Sequence, residues 1–230
     1  MTAQDRINEY WTGRAPAYDE YQQRPSRLAA DTAAWSAVWS GALPFDSGDV
    51  LDVGTGSGQV ARVLAGLGHR VTGIDLSEGM LDEARKHGGP VDFRRGDAVD
   101  PPFAPAFFDA VVGRYVMWTL RSPESAVANW IRLLRPGGTV AVVDSTWFPD
   151  GLDKSSETFA GFYDESVRAV LPLAASRSID DTAAVLTRAG LEDVTVAPLA
   201  TIYELDQRHG VAENHELQLQ FLITGRTPRR

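Results

Sequence analysis

No cysteine occurs among the 230 residues, so the chain has no disulfide, no thiolate nucleophile and no cysteine-ligated zinc or iron–sulfur centre. No apolar run approaches the roughly 20 residues that a membrane-spanning helix needs, and the opening stretch from Met1 to Trp11 lacks the apolar core of a secretory signal. A cytoplasmic chain with no membrane contact is expected. Positive charge is short as well: 22 Lys and Arg stand against 31 Asp and Glu, a formal net charge of −9, and the basic residues are scattered. Such a surface repels polyanions, which argues against nucleic acid as a partner. No His-x-x-x-His pair and no Asp-x-Asp-x-Asp run is present, so no metal site is expected.

What remains is an ordinary globular composition, 43% hydrophobic and 23% charged, at a length that suits one α/β domain spanning 1–230. Residues 1–40 read as helical, with Ile7, Tyr10, Trp11, Ala15 and Tyr18 spaced as one face and with Pro16 and Pro25 as interruptions. From residue 49 short apolar runs alternate with amphipathic stretches, the signature of βα units in a parallel sheet. Strands are expected at 49–54, 70–76, 91–97, 107–116 and 139–145. The helix before the fifth strand is expected to stop at Pro136 and the Gly137-Gly138 pair. Residues 147–178, rich in aromatics, read as a helical insertion capping the substrate. A helix at 180–190 and two long strands joined by the short link 206–214 complete the chain, the last pair antiparallel.

Chemistry concentrates at Leu51-Asp52-Val53-Gly54-Thr55-Gly56-Ser57-Gly58, where the first strand turns into the first helix of the sheet. Glycines there admit positive φ and let a ligand lie against the main chain beside a helix N-terminus. Asp75 ends the second strand about 20 residues on, where a carboxylate can accept both hydroxyls of an adenosine ribose. The two features describe an adenosine site. The glycines fall as G-x-G-x-G, whereas a dinucleotide fingerprint needs G-x-G-x-x-G, and Asp52 would add negative charge beside a pyrophosphate. A cationic ligand without phosphate suits the site better. A nicotinamide oxidoreductase is further disfavoured because only Lys86 and Lys154 are available for a Tyr-x-x-x-Lys pair.

The run V-L-D-V-G-T-G-S-G, the following G-I-D-L-S and the later L-L-R-P-G-G resemble the class I S-adenosylmethionine (SAM)-dependent methyltransferases. Together with Trp11, Arg14, Ala15, Tyr18 and Asp19 in a W-x-x-R-A-x-x-Y-D element, they resemble the small-molecule branch related to the ubiquinone/menaquinone methyltransferases. The resemblance covers most of residues 7–146. It implies a Rossmann-like αβα sandwich with a seven-stranded, mostly parallel sheet whose last strand is antiparallel, and SAM as the cofactor. It also implies roles. Asp52, Gly54, Thr55, Gly56 and Gly58 would shape the methionine and ribose site, Asp75 the ribose hydroxyls, and Leu76 with Met80 the adenine face. Asp97 and Ala98 would read the adenine edge, unless Asp97 only caps a turn. Arg114 would bind a carboxylate near the transferable methyl, and Tyr18 would close over the cofactor.

The acceptor is expected to be a small metabolite or short peptide, methylated on N, O or C in a biosynthetic tailoring role. It would meet Tyr10, Trp11, Tyr115 and Trp118, and then Trp147, Phe148 and Tyr163. A sulfonium is already an activated electrophile, so placement matters more than a side-chain base. His209 is the histidine best placed by topology if a base is used. His69 and His87 read as structural, and Asp144 either faces the acceptor or bonds at the sheet end. The aromatic face of helix 1–40 serves equally as core, as lid or as a homodimer contact. A module that binds SAM without transferring the methyl is the alternative from another class.

Overall fold

β-branched runs bounded by glycine and proline become the strands, and the amphipathic stretches between them become the helices that cover both faces of the sheet. The computed structural model describes residues 1–148, 150, 157–212 and 216–229. Its strands are β1 (Asp49–Val53), β2 (Arg70–Asp75), β3 (Val91–Arg95), β4 (Phe108–Arg114), β5 (Leu134–Asp144), β6 (Glu192–Pro198) and β7 (Phe221–Arg226). They form one sheet in the order β3-β2-β1-β4-β5-β7-β6. β7 runs antiparallel to both neighbours and every other pairing is parallel. This is the seven-stranded, mostly parallel architecture expected from the sequence.

The helices are α1 (Ala3–Gln22), α2 (Leu28–Ala42), α3 (Gln59–Gly66), α4 (Glu78–Lys86), α5 (Pro123–Leu133), α6 (Glu157–Phe162), α7 (Glu165–Arg168), α8 (Asp180–Arg188) and α9 (Ala200–His209). Trp35 and Trp39 of α2, Val60 and Leu64 of α3 and Ile202 of α9 pack one face of the sheet. Val127, Trp130 and Leu133 of α5 and Val185 and Leu186 of α8 pack the other. A third cluster gathers aromatics above the sheet's end, where Phe159, Tyr163 and Val167 meet Ile7 of α1 and Trp118.

Three local expectations need correction. α1 runs through Pro16 without a break, and only Pro25 separates it from α2. The missing proline N–H leaves Thr12 O without its helical donor. That backbone lies close against Gly79, where a Cβ would come within 2.8 Å of Thr12 O. The Arg135–Gly138 stretch does not end a helix. It forms the irregular start of β5, where the register slips between the Phe108 and Ala110 pairings. The two long terminal strands are shorter than expected, because Pro198 ends β6 and Leu199, Ile202, Leu205 and Asp206 follow at helical spacing to give α9. Part of the expected insertion, 149 and 151–156, the end of the expected link, 213–214, and the first residue of the expected last strand, 215, lie outside the described residues.

Trp130 has no exposed surface, and its indole N–H donates to Ala98 O at 2.7 Å. Trp130→Ala is expected to cost about 3–5 kcal/mol, read as a lowered denaturant midpoint at unchanged slope. A loss under about 1 kcal/mol would show that α5 is not part of the core.

Candidate active site

Every parallel strand ends at the same edge of the sheet, and the loops leaving β1, β2, β3 and β4 converge there on one cavity of about 510 Å³. The turn after β1 is held at both ends. Thr55 N donates to Ile74 O at 2.9 Å, and the Thr55 hydroxyl donates to Asp52 Oδ2 at 2.6 Å. Gly56 N then donates to Asp75 Oδ2 at 2.9 Å, while Ser77 N donates to Asp75 Oδ1 at 2.8 Å. Asp75 borders the cavity, and burial pushes its carboxyl up against the opposing pull of those backbone donors. Gly56 takes φ +55°, and a Cβ there would meet nothing closer than Met80 Sδ at 3.9 Å. Its main chain therefore faces open space, as a ligand cradle requires.

Gly54, Gly56, Asp75, Leu76, Met80, Asp97, Ala98, Arg114 and Tyr18 all border this cavity, so nine residues singled out for the cofactor come together. Asp52, Thr55 and Gly58 do not border it. Asp52 has no exposed surface and serves the turn through Thr55, its Oδ1 lacking a partner. A Cβ at Gly58 would lie 2.6 Å from Phe93 Cζ, so that glycine lets α3 pack on β3 and stands behind the cavity wall. Asp97 does cap a turn, accepting from Val99 N at 2.8 Å, and pairs with Arg121 at 2.9 Å while still facing the cavity.

The half of the cavity beyond β4 is walled by aromatics. Tyr10, Trp11, Tyr115, Trp118, Trp147 and Phe148 border it. Tyr163 does not: it is fully buried, stacks on Phe159 at 4.3 Å and accepts a hydrogen bond from the Trp11 indole at 3.0 Å, so it braces the wall from behind. Tyr115 sits at φ +61°, a strained setting for a bulky residue, pinned by its N–H to Val143 O at 2.8 Å and its hydroxyl to Gln220. The Arg114 guanidinium lies 4.9 Å over the Trp35 ring and 4.8 Å over Tyr115. Asp144 is the sheet-end hydrogen bonder. It accepts from Trp118 N and Ser145 N and from the Trp147 indole, fixing two walls of the cavity without bordering it.

His209 ends α9 and does not border the cavity, because the link expected to carry it to the site is taken up by that helix. His87 is less remote than its position in sequence suggests: Nε2 meets both Asp19 oxygens at 2.9 Å and clasps α4 to α1. The Thr12 and Ser77 hydroxyls, 3.0 Å apart, make a second clasp. Sequence reasoning missed Arg27, Asp31, Gln59, Asp206 and Gln220, all of which border the cavity. None lies in a motif. The one available signal was a single charge on a helix otherwise uncharged, Asp31 one turn before Trp35.

Residues 51–142 match the model of the methyltransferase domain. A demethylmenaquinone methyltransferase of Renibacterium salmoninarum is 30% identical over 184 residues, covering 78% of this chain and 73% of that protein. A ubiquinone biosynthesis O-methyltransferase of Thiobacillus denitrificans is 31% identical over 182 residues, covering 71% and 75%. Among solved structures, phosphoethanolamine N-methyltransferase 2 of Haemonchus contortus, in complex with SAM, superposes with a TM-score of 0.60 at 18% identity, over 92% of this chain and 60% of that one. The [4+2]-cyclase SpnF superposes with a TM-score of 0.66 at 20% identity, over 99% and 97%. At such identities the likeness is one of fold.

Two predictions test the site. Asp75→Ala is expected to weaken binding of SAM and of S-adenosylhomocysteine by about 1–3 kcal/mol in calorimetric titration, and unchanged affinity would remove Asp75 from the ribose. Burial pushes the Asp52 carboxyl up to about 7, above its unfolded value. The stability it contributes is full below about pH 4 and is lost as pH rises through about 7. Between pH 5 and pH 8 the wild type should therefore lose on the order of 1–3 kcal/mol more than Asp52→Asn, about 2–4 °C in Tm per kcal/mol. Parallel melting curves for the two proteins would contradict this.

Proposed function

This chain belongs to the class I SAM-dependent methyltransferases, and from that premise we propose that it methylates a small, flat or apolar acceptor held between α1, the end of β4 and the segment after β5. The observation that carries the proposal is the continuity of one cavity from a cofactor cradle to an aromatic-walled half. The residues present fit SAM: a glycine backbone open to a ligand, a carboxylate with lone pairs to spare, and Gln59 Oε1, buried and without a partner at the cavity wall. Once bound, SAM supplies a methyl group on a sulfonium, an electrophile that needs no further activation.

The chain's own part is placement. Asp75 holds the ribose, and Asp97 with Ala98 the adenine edge. The Arg114 guanidinium has no hydrogen-bonded partner among the described residues and, steadied over two rings, offers paired donors to the methionine carboxylate. α1 is the lid, clasped by Asp19 to His87 and by Thr12 to Ser77, with Tyr18 over the cofactor and Tyr10 and Trp11 over the acceptor. Closing it excludes water and lines the acceptor up with the methyl. α6, α7 and the turn between them, whose Phe159, Val167 and Tyr163 cluster with Ile7, complete the cap. With His209 outside the cavity, no side-chain base is assigned. Two of the relatives named above are a demethylmenaquinone methyltransferase and a ubiquinone biosynthesis O-methyltransferase; for this chain a tailoring step in biosynthesis on a comparable flat ring, or on a short peptide, is the proposal.

Incubation with labelled SAM and a panel of phenols, quinols, aryl amines and short aromatic peptides is expected to yield labelled product from at least one class. SAM binding without transfer to any of them would favour a binding module. Trp147→Leu is expected to raise the KM of the accepted compound by about tenfold while leaving SAM affinity within about twofold. An equal loss on both ligands would mean that Trp147 supports the fold and not the acceptor.

A further inference from the structure

We propose that the end of the cavity beyond Tyr115 binds a protonated amine carried by the acceptor, with Asp31 as its counter-ion. The inference rests on the reading of the cavity as a cofactor half joined to an acceptor half. Tyr115, Gln220, Asp206, Arg27 and Asp31 border that end and form a continuous chain of polar contacts. The Tyr115 hydroxyl donates to Gln220 Oε1, and Gln220 Nε2 donates to Asp206 Oδ2 at 2.9 Å. Arg27 Nη2 meets Asp206 Oδ1 at 2.6 Å, and Arg27 Nε donates to Asp31 Oδ2 at 2.5 Å.

The chain is nearly saturated. Arg27 Nη1 donates to Gly210 O at 3.0 Å and to the Tyr21 hydroxyl at 3.3 Å, so its guanidinium is spent on joining α2 to α9 and the residue after it. Both oxygens of Asp206 are engaged. One acceptor remains open: Asp31 Oδ1 has no partner although the residue is only 5% exposed. Charge points the same way. Two carboxylates share one guanidinium, Arg24 is turned onto the Tyr21 ring at 4.0 Å and does not border the cavity, and Arg114 is taken by the cofactor in the reading above. A buried carboxylate left without full compensation is costly. A neutral donor would satisfy the open oxygen alone, whereas an ammonium satisfies the oxygen and the charge.

Sheet geometry separates this end from the cofactor. Asp75 ends β2, Arg114 ends β4, and Gln220 immediately precedes β7. The strand order β2-β1-β4-β5-β7, at about 4.8 Å per strand, puts Arg114 about 10 Å from the ribose carboxylate and Gln220 about 19 Å from it.

The test uses the full chain saturated with S-adenosylhomocysteine and two probes of like shape, tryptamine and its alcohol analogue indole-3-ethanol, titrated by calorimetry. Tryptamine is expected to bind at least about tenfold more tightly than the alcohol, and the gap is expected to shrink to about twofold in Asp31→Asn, with S-adenosylhomocysteine affinity unchanged. Equal affinity of amine and alcohol for the wild type overturns the proposal, as does binding of neither. So does a gap that survives in a folded Asp31→Asn. Loss of S-adenosylhomocysteine affinity in Asp31→Asn, with the probe gap intact, would assign the ammonium to the cofactor's methionine and not to the acceptor. Should Asp31→Asn fail to fold, Asp31→Ser takes its place, and the wild-type ratio decides by itself. The cofactor reading is judged beforehand and separately, because S-adenosylhomocysteine that does not bind the wild type removes the premise.

Discussion

The hydrogen bond from Gly56 N to Asp75 Oδ2 joins the loop after β1 to the end of β2, and the rest of the site is arranged around it. A main chain that must present its amide edge to a ligand has to pass through left-handed conformations, as it does at Gly54, Gly56 and Gly58. Such a turn has few contacts of its own to hold it. Asp75 from one side and the buried Asp52 with Thr55 from below supply them, while Phe93 fills the space that a Cβ at Gly58 would need. The same Asp75 that would receive a ribose is thus already part of the loop's scaffold. Cofactor recognition and loop geometry depend on one carboxylate.

The acceptor half is built on a different principle. Its walls are aromatic side chains from α1, from the residues following β4 and β5, and from α6, packed edge to face and, for Phe148 on Phe159, stacked. Rings at these separations gain from burial and from quadrupole geometry without demanding an exact hydrogen-bond partner. Few polar pins set the angles: Asp144 for Trp118 and Trp147, Tyr163 for Trp11, Gln220 for Tyr115. Residues behind the wall therefore decide the shape of the space in front of it.

Burial of charge runs through both halves. Asp52 and Asp144 are each pushed up to about 7 by desolvation, and Arg27 stands between Asp31 and Asp206 almost out of contact with solvent. None of these groups is an efficient way to stabilise a fold, since well-packed apolar side chains would serve as well or better. Their presence at one edge of the sheet, beside a cavity, fits a site in which stability has been exchanged for placed donors, acceptors and charge.

The sheet and the cofactor half were legible in the sequence because they depend on short-range patterns. Alternating apolar runs and amphipathic helices specify parallel strands, right-handed crossovers bring the loops after them to one edge, and glycine spacing with Asp75 at the end of the next strand marks the ligand. Even there, the distinction between residues that touch the cavity and those that brace it, Gly56 against Gly58 or Asp97 against Asp52, depended on which side of the turn each side chain faces. The acceptor half was legible only as an excess of aromatics. Tyr163 behind the wall, His209 on an unexpected helix, His87 clasped to Asp19 and the chain from Asp31 through Arg27 and Asp206 to Gln220 join residues up to about 190 positions apart, and no local pattern records such a pairing. Sequence by itself determined the parallel strands and the cofactor cradle, because both are written in neighbouring residues. Tertiary structure decided which charges are buried together and what they leave unpaired, because burial is a property of packing between distant segments.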